Sequence, residues 1–199
     1  MLRFASRVSL LAAVSVLAVA DTPFPSDLTV VLQFQGTHSD RSVSEMEREA
    51  AGILQASGLR LNWRLGAEAS QESYPDLVVV QFKGACKMEP VPFVYDERGP
   101  LAFTYSSDGT VQPFGEVACD KVAASVRSAM WGDDFRNADL LMGRALGRVL
   151  VHELVHMLTR SGEHGREGVE RPALSGKQLV ASSLQLSRSD LARLRRRGH

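Results

Sequence analysis

The chain has 199 residues, 44% of them hydrophobic and 23% charged, and its 23 basic side chains are matched by 23 acidic ones. That length suits one domain with a sizeable core, and the composition excludes a chain too polar to fold. A balanced charge gives no field that would steer the molecule to nucleic acid.

The first twenty residues stand apart. Arg3 and Arg7 precede the apolar run VSLLAAVSVLAVA, which ends in the small residues Ala18-Val19-Ala20. This is the pattern of a secretory signal cut after Ala20. About thirteen apolar residues are too few to cross roughly 30 Å of hydrocarbon as a helix, so no membrane anchor is expected after cleavage. A secreted or periplasmic destination is expected. Without Arg3 and Arg7 the mature chain keeps 21 basic against 23 acidic side chains. Residues 21–199 are read as a single domain, with a sheet-rich part over 21–120, a long helix over about 137–160 and a C-terminal segment over 161–199.

DLTVVLQF (27–34) is an apolar, β-branched run with strand character. In SVSEMEREAAGILQASG, Ser44 with Glu47 reads as a capping box, apolar residues recur at helical spacing, and Gly58 supplies a stop. Its polar face is acidic, which argues against a membrane-surface helix. LRLNWRL (59–65) alternates as a half-buried strand does, whereas DLVVVQF (76–82) does not alternate and is expected to be a central strand covered on both faces.

Residues 84–120 are rich in Gly, Pro and turn pairs, with LAFTYSS (101–107) as a candidate edge strand. Cys86 and Cys119, 33 positions apart, are expected to form a disulfide in a chain that leaves the reducing cytosol, worth about 3 to 4 kcal/mol on the chain-entropy model. From Asn137 to Arg160 the pattern is helical and apolar around most of the circumference, which predicts a helix buried through the molecule. LSRSDLARLRRR predicts a short final helix with a serine N-cap. Its cluster Arg193, Arg195, Arg196 and Arg197 complements the helix dipole rather than forming an anion-binding tail. The elements together imply an α+β fold: a mixed, twisted sheet with helices packed on it and one long buried helix carrying the site.

That helix contains LVHELVHMLTRSGEHG (150–165). Residues four apart on a helix share a face, with Cβ atoms roughly 5 to 6 Å apart. His152 and His156 can therefore present nitrogens to one ion at the distance of about 2.0 to 2.1 Å that zinc prefers. Glu153 projects beside them, suited to hold a water rather than the metal. On a continued helix His164 would lie about 12 Å beyond His156. Ser161 and Gly162 can end the helix, Gly162 by a left-handed cap, and return the chain so that His164 becomes a third ligand. Glu163, Glu167 and Glu170 compete for that role. Three neutral imidazoles leave a tetrahedral zinc one exchangeable position, which is the mark of a catalytic site.

HELVHMLTRSGEH resembles the active-site helix of the zincin metallopeptidases, and the downstream histidine leans toward the metzincin branch. Thr159 stands where the metzincin pattern has glycine, and the third histidine comes eight residues after His156 instead of six. The spacing is closer to short exported bacterial proteins with H-E-L-x-H-x7-H. Glu170 stands where such proteins often carry methionine. The resemblance covers about residues 137–172. It implies zinc on His152, His156 and His164, Glu153 as general base, and a protein or peptide substrate. The substrate would lie along an edge strand, with LAFTYSS the candidate, and Tyr95 or Tyr105 would be available to an oxyanion. Two other readings stay open: a non-catalytic zinc staple closed by Glu167 or Glu170, and a metal-free envelope binding module whose histidines pair with backbone carbonyls.

Overall fold

A computed structural model describes residues 26–69, 73–89 and 99–196. The signal-like segment, Tyr95 and Arg197 lie outside them. Strands β1 (Ser26–Phe34), β2 (Leu59–Leu65), β3 (Leu77–Lys83), β4 (Ala102–Ser107) and β5 (Thr110–Ala118) form one sheet in the order β2-β1-β3-β5-β4. Four strands run parallel, and β4 is antiparallel to β5 at one edge. Among the described residues six α-helices accompany the sheet: α1 (Asp40–Leu54), α2 (Gly66–Ala69), α3 (Cys119–Ala129), α4 (Ala138–Thr159), α5 (Gly176–Val180) and α6 (Arg188–Arg196). The fold is therefore α+β with a mixed sheet, as the element pattern implied.

The long helix α4 sits between α1 and the β4–β5 end of the sheet. Met142, Leu146, Leu150, Leu154 and Leu158 on it are buried, together with Leu28, Val30 and Leu32 of β1 and Val78, Val80 and Phe82 of β3. Burial of this size is the main favourable term in folding. Arg148 is also wholly buried on α4. Its guanidinium donates to Glu49 Oε1 at 2.8 Å and to the Gln178 carbonyl at 2.6 Å, tying α1 and α5 to the central helix. None of the described helices is long and apolar enough to cross a membrane.

Several local expectations shift. Helix α1 begins at Asp40 with Ser39 as N-cap, its side chain accepting from Ser42 N, rather than at a Ser44–Glu47 box. The short polar side chain of Ser39 captures a free N–H of the first turn, that of Ser42, earlier in the chain than periodicity alone suggests. The strand covered on both faces is β1, where Leu28 through Leu32 are buried in succession. In β3, Val79 and Gln81 are only half-buried. LRLNWRL does alternate, and LAFTYSS is an edge strand. Neither β5 nor α3 is announced by the sequence: Pro113 and Gly115 interrupt the strand pattern of TVQPFGEVA, and α3 follows it without a linker. Cys86 and Cys119 form the expected disulfide, which joins the end of β3 to the start of α3.

Candidate metal centre

The site is built on the last turns of α4 and on the segment that returns from its C-terminal end. The helix ends at Arg160, which takes the left-handed conformation (φ 50°, ψ 36°) while its N–H bonds to the His156 carbonyl. The left-handed cap thus falls on Arg160 and not on Gly162. The reversal is nonetheless the one the third histidine needs. It returns Ser161 so that its carbonyl lies 2.7 Å from His156 Nδ1. Further on, Gly168 adopts a positive φ of 69°, and a Cβ there would lie 2.2 Å from the Gln185 carbonyl oxygen. Glycine permits that close approach. It lets Val169 turn its carbonyl to 2.9 Å from His152 Nδ1.

A carbonyl oxygen only accepts, so both Nδ1 atoms carry their protons and donate. Burial, outweighing these backbone bonds, lowers the pKa of His152 to about 4 and that of His156 below its usual value. Both rings are therefore neutral at pH 7, and both Nε2 atoms bear lone pairs. Those two atoms face each other at 3.1 Å. With each proton committed elsewhere, two lone pairs at that distance repel unless a cation lies between them. Nitrogens 3.1 Å apart and each about 2.05 Å from an ion subtend roughly 100°, within the range of tetrahedral zinc.

His164 completes the group. Its ring centroid lies 5.1 Å from that of His152 and 4.8 Å from that of His156. One ligand atom from each of the three histidines falls within 4.8 Å of the others. The structure thus brings together the three histidines that the motif singled out, and they could hold a metal ion. Glu163 and Glu167 are exposed and stay outside the cluster. Glu170 is wholly buried but lies behind His152, its Oε1 3.7 Å from Nδ1 rather than near Nε2. Neither of its oxygens finds a hydrogen-bond donor among the described residues, and Arg193 on α6 remains at 3.6 Å.

Glu153 is 4% exposed, and its Oε2 accepts a 2.6 Å hydrogen bond from the Thr104 hydroxyl of β4. Burial raises its pKa to about 7, with the Thr104 bond opposing the shift. Thr104 stands opposite Gly115 in the β4–β5 ladder. A Cβ at Gly115 would come within 2.5 Å of Met157 Cε, so the bare backbone lets α4 approach the sheet closely enough for this contact. Sequence reading missed Thr104. The signal was available in the alternation of LAFTYSS, whose small residues Ala102, Thr104 and Ser106 share one face. Tyr105 is on the other face, where its hydroxyl donates to Glu116 Oε2 at 3.3 Å and its ring meets Phe103. It is therefore not placed to serve an oxyanion beside Glu153.

The burial of these groups has a consequence for the metal-free protein. Burial and the neighbouring Asp190 push Glu170 up to about 8, against the pull of Arg193. Folded Glu153 and Glu170 thus hold protons that the unfolded chain releases above its ordinary carboxylate range, so their contribution to stability is lost as pH rises. His152 and His156 act the opposite way, but only below the ordinary histidine pKa of about 6.5. Between pH 6.5 and 8 the carboxylates act alone. The melting temperature of chelator-treated protein is expected to fall by roughly 5 °C over that interval. Glu170→Gln is expected to remove most of the fall in a differential scanning experiment, and a slope unchanged by it would refute this account.

A scan against protein-family models finds no match for the chain, and a search of curated proteins finds no similar sequence.

Proposed function

We propose that the chain is an exported zinc-dependent metallopeptidase of zincin-like, metzincin-leaning type, with His152, His156 and His164 as ligands and Glu153 as general base. The observation that carries the reading is the pair of Nε2 lone pairs 3.1 Å apart, whose rings have both spent their protons on the carbonyls of Val169 and Ser161. Histidine–carbonyl pairing is also what a metal-free binding module would use, but it accounts for only one nitrogen of each ring. Three imidazole donors suit zinc, which when bound would polarise a substrate carbonyl and lower the pKa of water.

The chain's own part is proton handling and orientation. Glu153, buried and held by Thr104, takes a proton from the attacking water and returns it to the leaving amine. Val169 and Ser161 fix the two buried rings in the tautomer that frees Nε2. A zinc staple would need a fourth side-chain ligand, and among the described residues no carboxylate joins the three histidines. Export is supported by the Cys86–Cys119 disulfide, which belongs to an oxidising compartment.

The test is one preparation with two readings: zinc by elemental analysis, and cleavage of a peptide library by wild type and Glu153→Gln. We expect both proteins to retain zinc and the variant to lose cleavage by on the order of 10²- to 10⁴-fold. Chelation should abolish wild-type cleavage and added zinc restore it. Zinc without cleavage in either protein would favour the staple, and purification without metal the binding module.

A further inference from the structure

A cleft of about 610 Å³ leads away from the three histidines, between β4 and the stretch Arg171–Leu174. Its walls are largely apolar, with Leu101, Val111, Val149 and Leu174 among them. Apart from the imidazoles, the charged residues lining it are Glu153 and Arg171. Glu153 is buried and engaged by Thr104. Arg171 is exposed, and among the described residues its side chain takes part in no hydrogen bond or ion pair. Among the described residues, the cleft therefore has one free cation and no free anion.

The guanidinium is also on a fixed base. Arg171 follows the buried Glu170 and precedes Pro172, which confines its backbone to the extended conformation observed (φ −64°, ψ 144°). Two residues earlier, Val169 holds His152 in place. An arginine presents a planar fork that matches a carboxylate, and apolar walls nearby reduce the screening of its charge.

We propose that Arg171 is a specificity residue that selects peptides presenting a carboxylate in this cleft. The source is either an aspartate or glutamate side chain or a free C-terminus. The cleavage part of the inference rests on the peptidase reading; the binding part does not.

The test uses zinc-loaded Glu153→Gln protein, so that peptides stay intact, and titrates three peptides of equal length. One has an internal glutamate and an amidated C-terminus, one has a free C-terminus and no acidic side chain, and one has neither. At least one carboxylate peptide is expected to bind about tenfold more tightly than the neutral one, and which one does identifies the source. Arg171→Met on the same background should erase the difference with zinc content unchanged, and Arg171→Glu should shift preference to a lysine peptide. Equal binding of all three peptides overturns the proposal. So does a preference that survives Arg171→Met, since the carboxylate would then sit on the metal. If wild type cleaves nothing while the Arg171-dependent preference holds, the peptidase reading fails and this inference stands. Equal cleavage of all three peptides would do the reverse.

Discussion

On the proposed zinc reading, His164→Ala is expected to weaken zinc binding sharply while leaving the metal-free chain as stable as wild type, within about 0.5 kcal/mol. The two halves of this expectation have different origins. His152 and His156 are packed against the core on α4, and each donates to a backbone carbonyl, so removing either would open a cavity and strand an acceptor. A loss of metal in those variants would be ambiguous. His164 is exposed on the returning chain, and its ring contacts the other two imidazoles. Structural zinc sites bind with roughly 10 to 16 kcal/mol over four ligands, so one ligand is worth about 3 kcal/mol, a loss of more than a hundredfold in affinity. Chelator competition on His164→Ala, with a melting curve of the stripped protein, measures both quantities. Wild-type affinity in the variant would remove His164 from the site and with it the three-histidine reading.

The motif was legible because its geometry is local. A helix forces residues 152 and 156 onto one face, and the apolar pattern from Asn137 onward fixes the helix. Beyond Arg160 the chain was legible only in outline. A break was required and Ser-Gly offered one, yet the left-handed residue is Arg160, because the cap is set by which N–H can reach the His156 carbonyl and not by glycine content alone. Glu170 could be read only as a rival ligand and as the residue standing where similar proteins often carry methionine; its wholly buried, donor-free state depends on α6, which brings Asp190 and Arg193 from some twenty residues away. Thr104 belongs to the same class: its bond to Glu153 spans 49 positions and needs the antiparallel register of β4 on a strand, β5, that proline and glycine conceal. Contacts of that kind are written in the packing of elements, not in the period of any one of them.

The same packing makes a counterintuitive result expected at Gly143. On an exposed helix, glycine to alanine is stabilising by up to about 1 kcal/mol, because alanine loses less backbone entropy. Gly143 and Gly147 lie on α4 where α1 crosses it. A Cβ at Gly143 would stand 2.4 Å from the Ser42 carbonyl oxygen and 2.7 Å from Glu45 Cβ, and one at Gly147 would stand 2.8 Å from the Met46 carbonyl oxygen. The obstacles at both positions include helix backbone, which cannot swing aside as a flexible side chain would. Alanine at Gly143 must therefore push α1 outward, against the Ser42 hydroxyl bond to the Asp139 carbonyl and the buried Met46, Ala50 and Ile53. Overpacking of this sort costs about 1 to 3 kcal/mol, more than the propensity gain returns. Gly52 on α1 supplies the control, since nothing lies within 4 Å of its Cβ position. We expect Gly143→Ala to lower the melting temperature by roughly 5 °C and Gly52→Ala to raise it slightly. If both substitutions stabilise, the two helices are not in contact at Gly143, and the placement of the histidine-bearing helix against α1 would have to be redrawn.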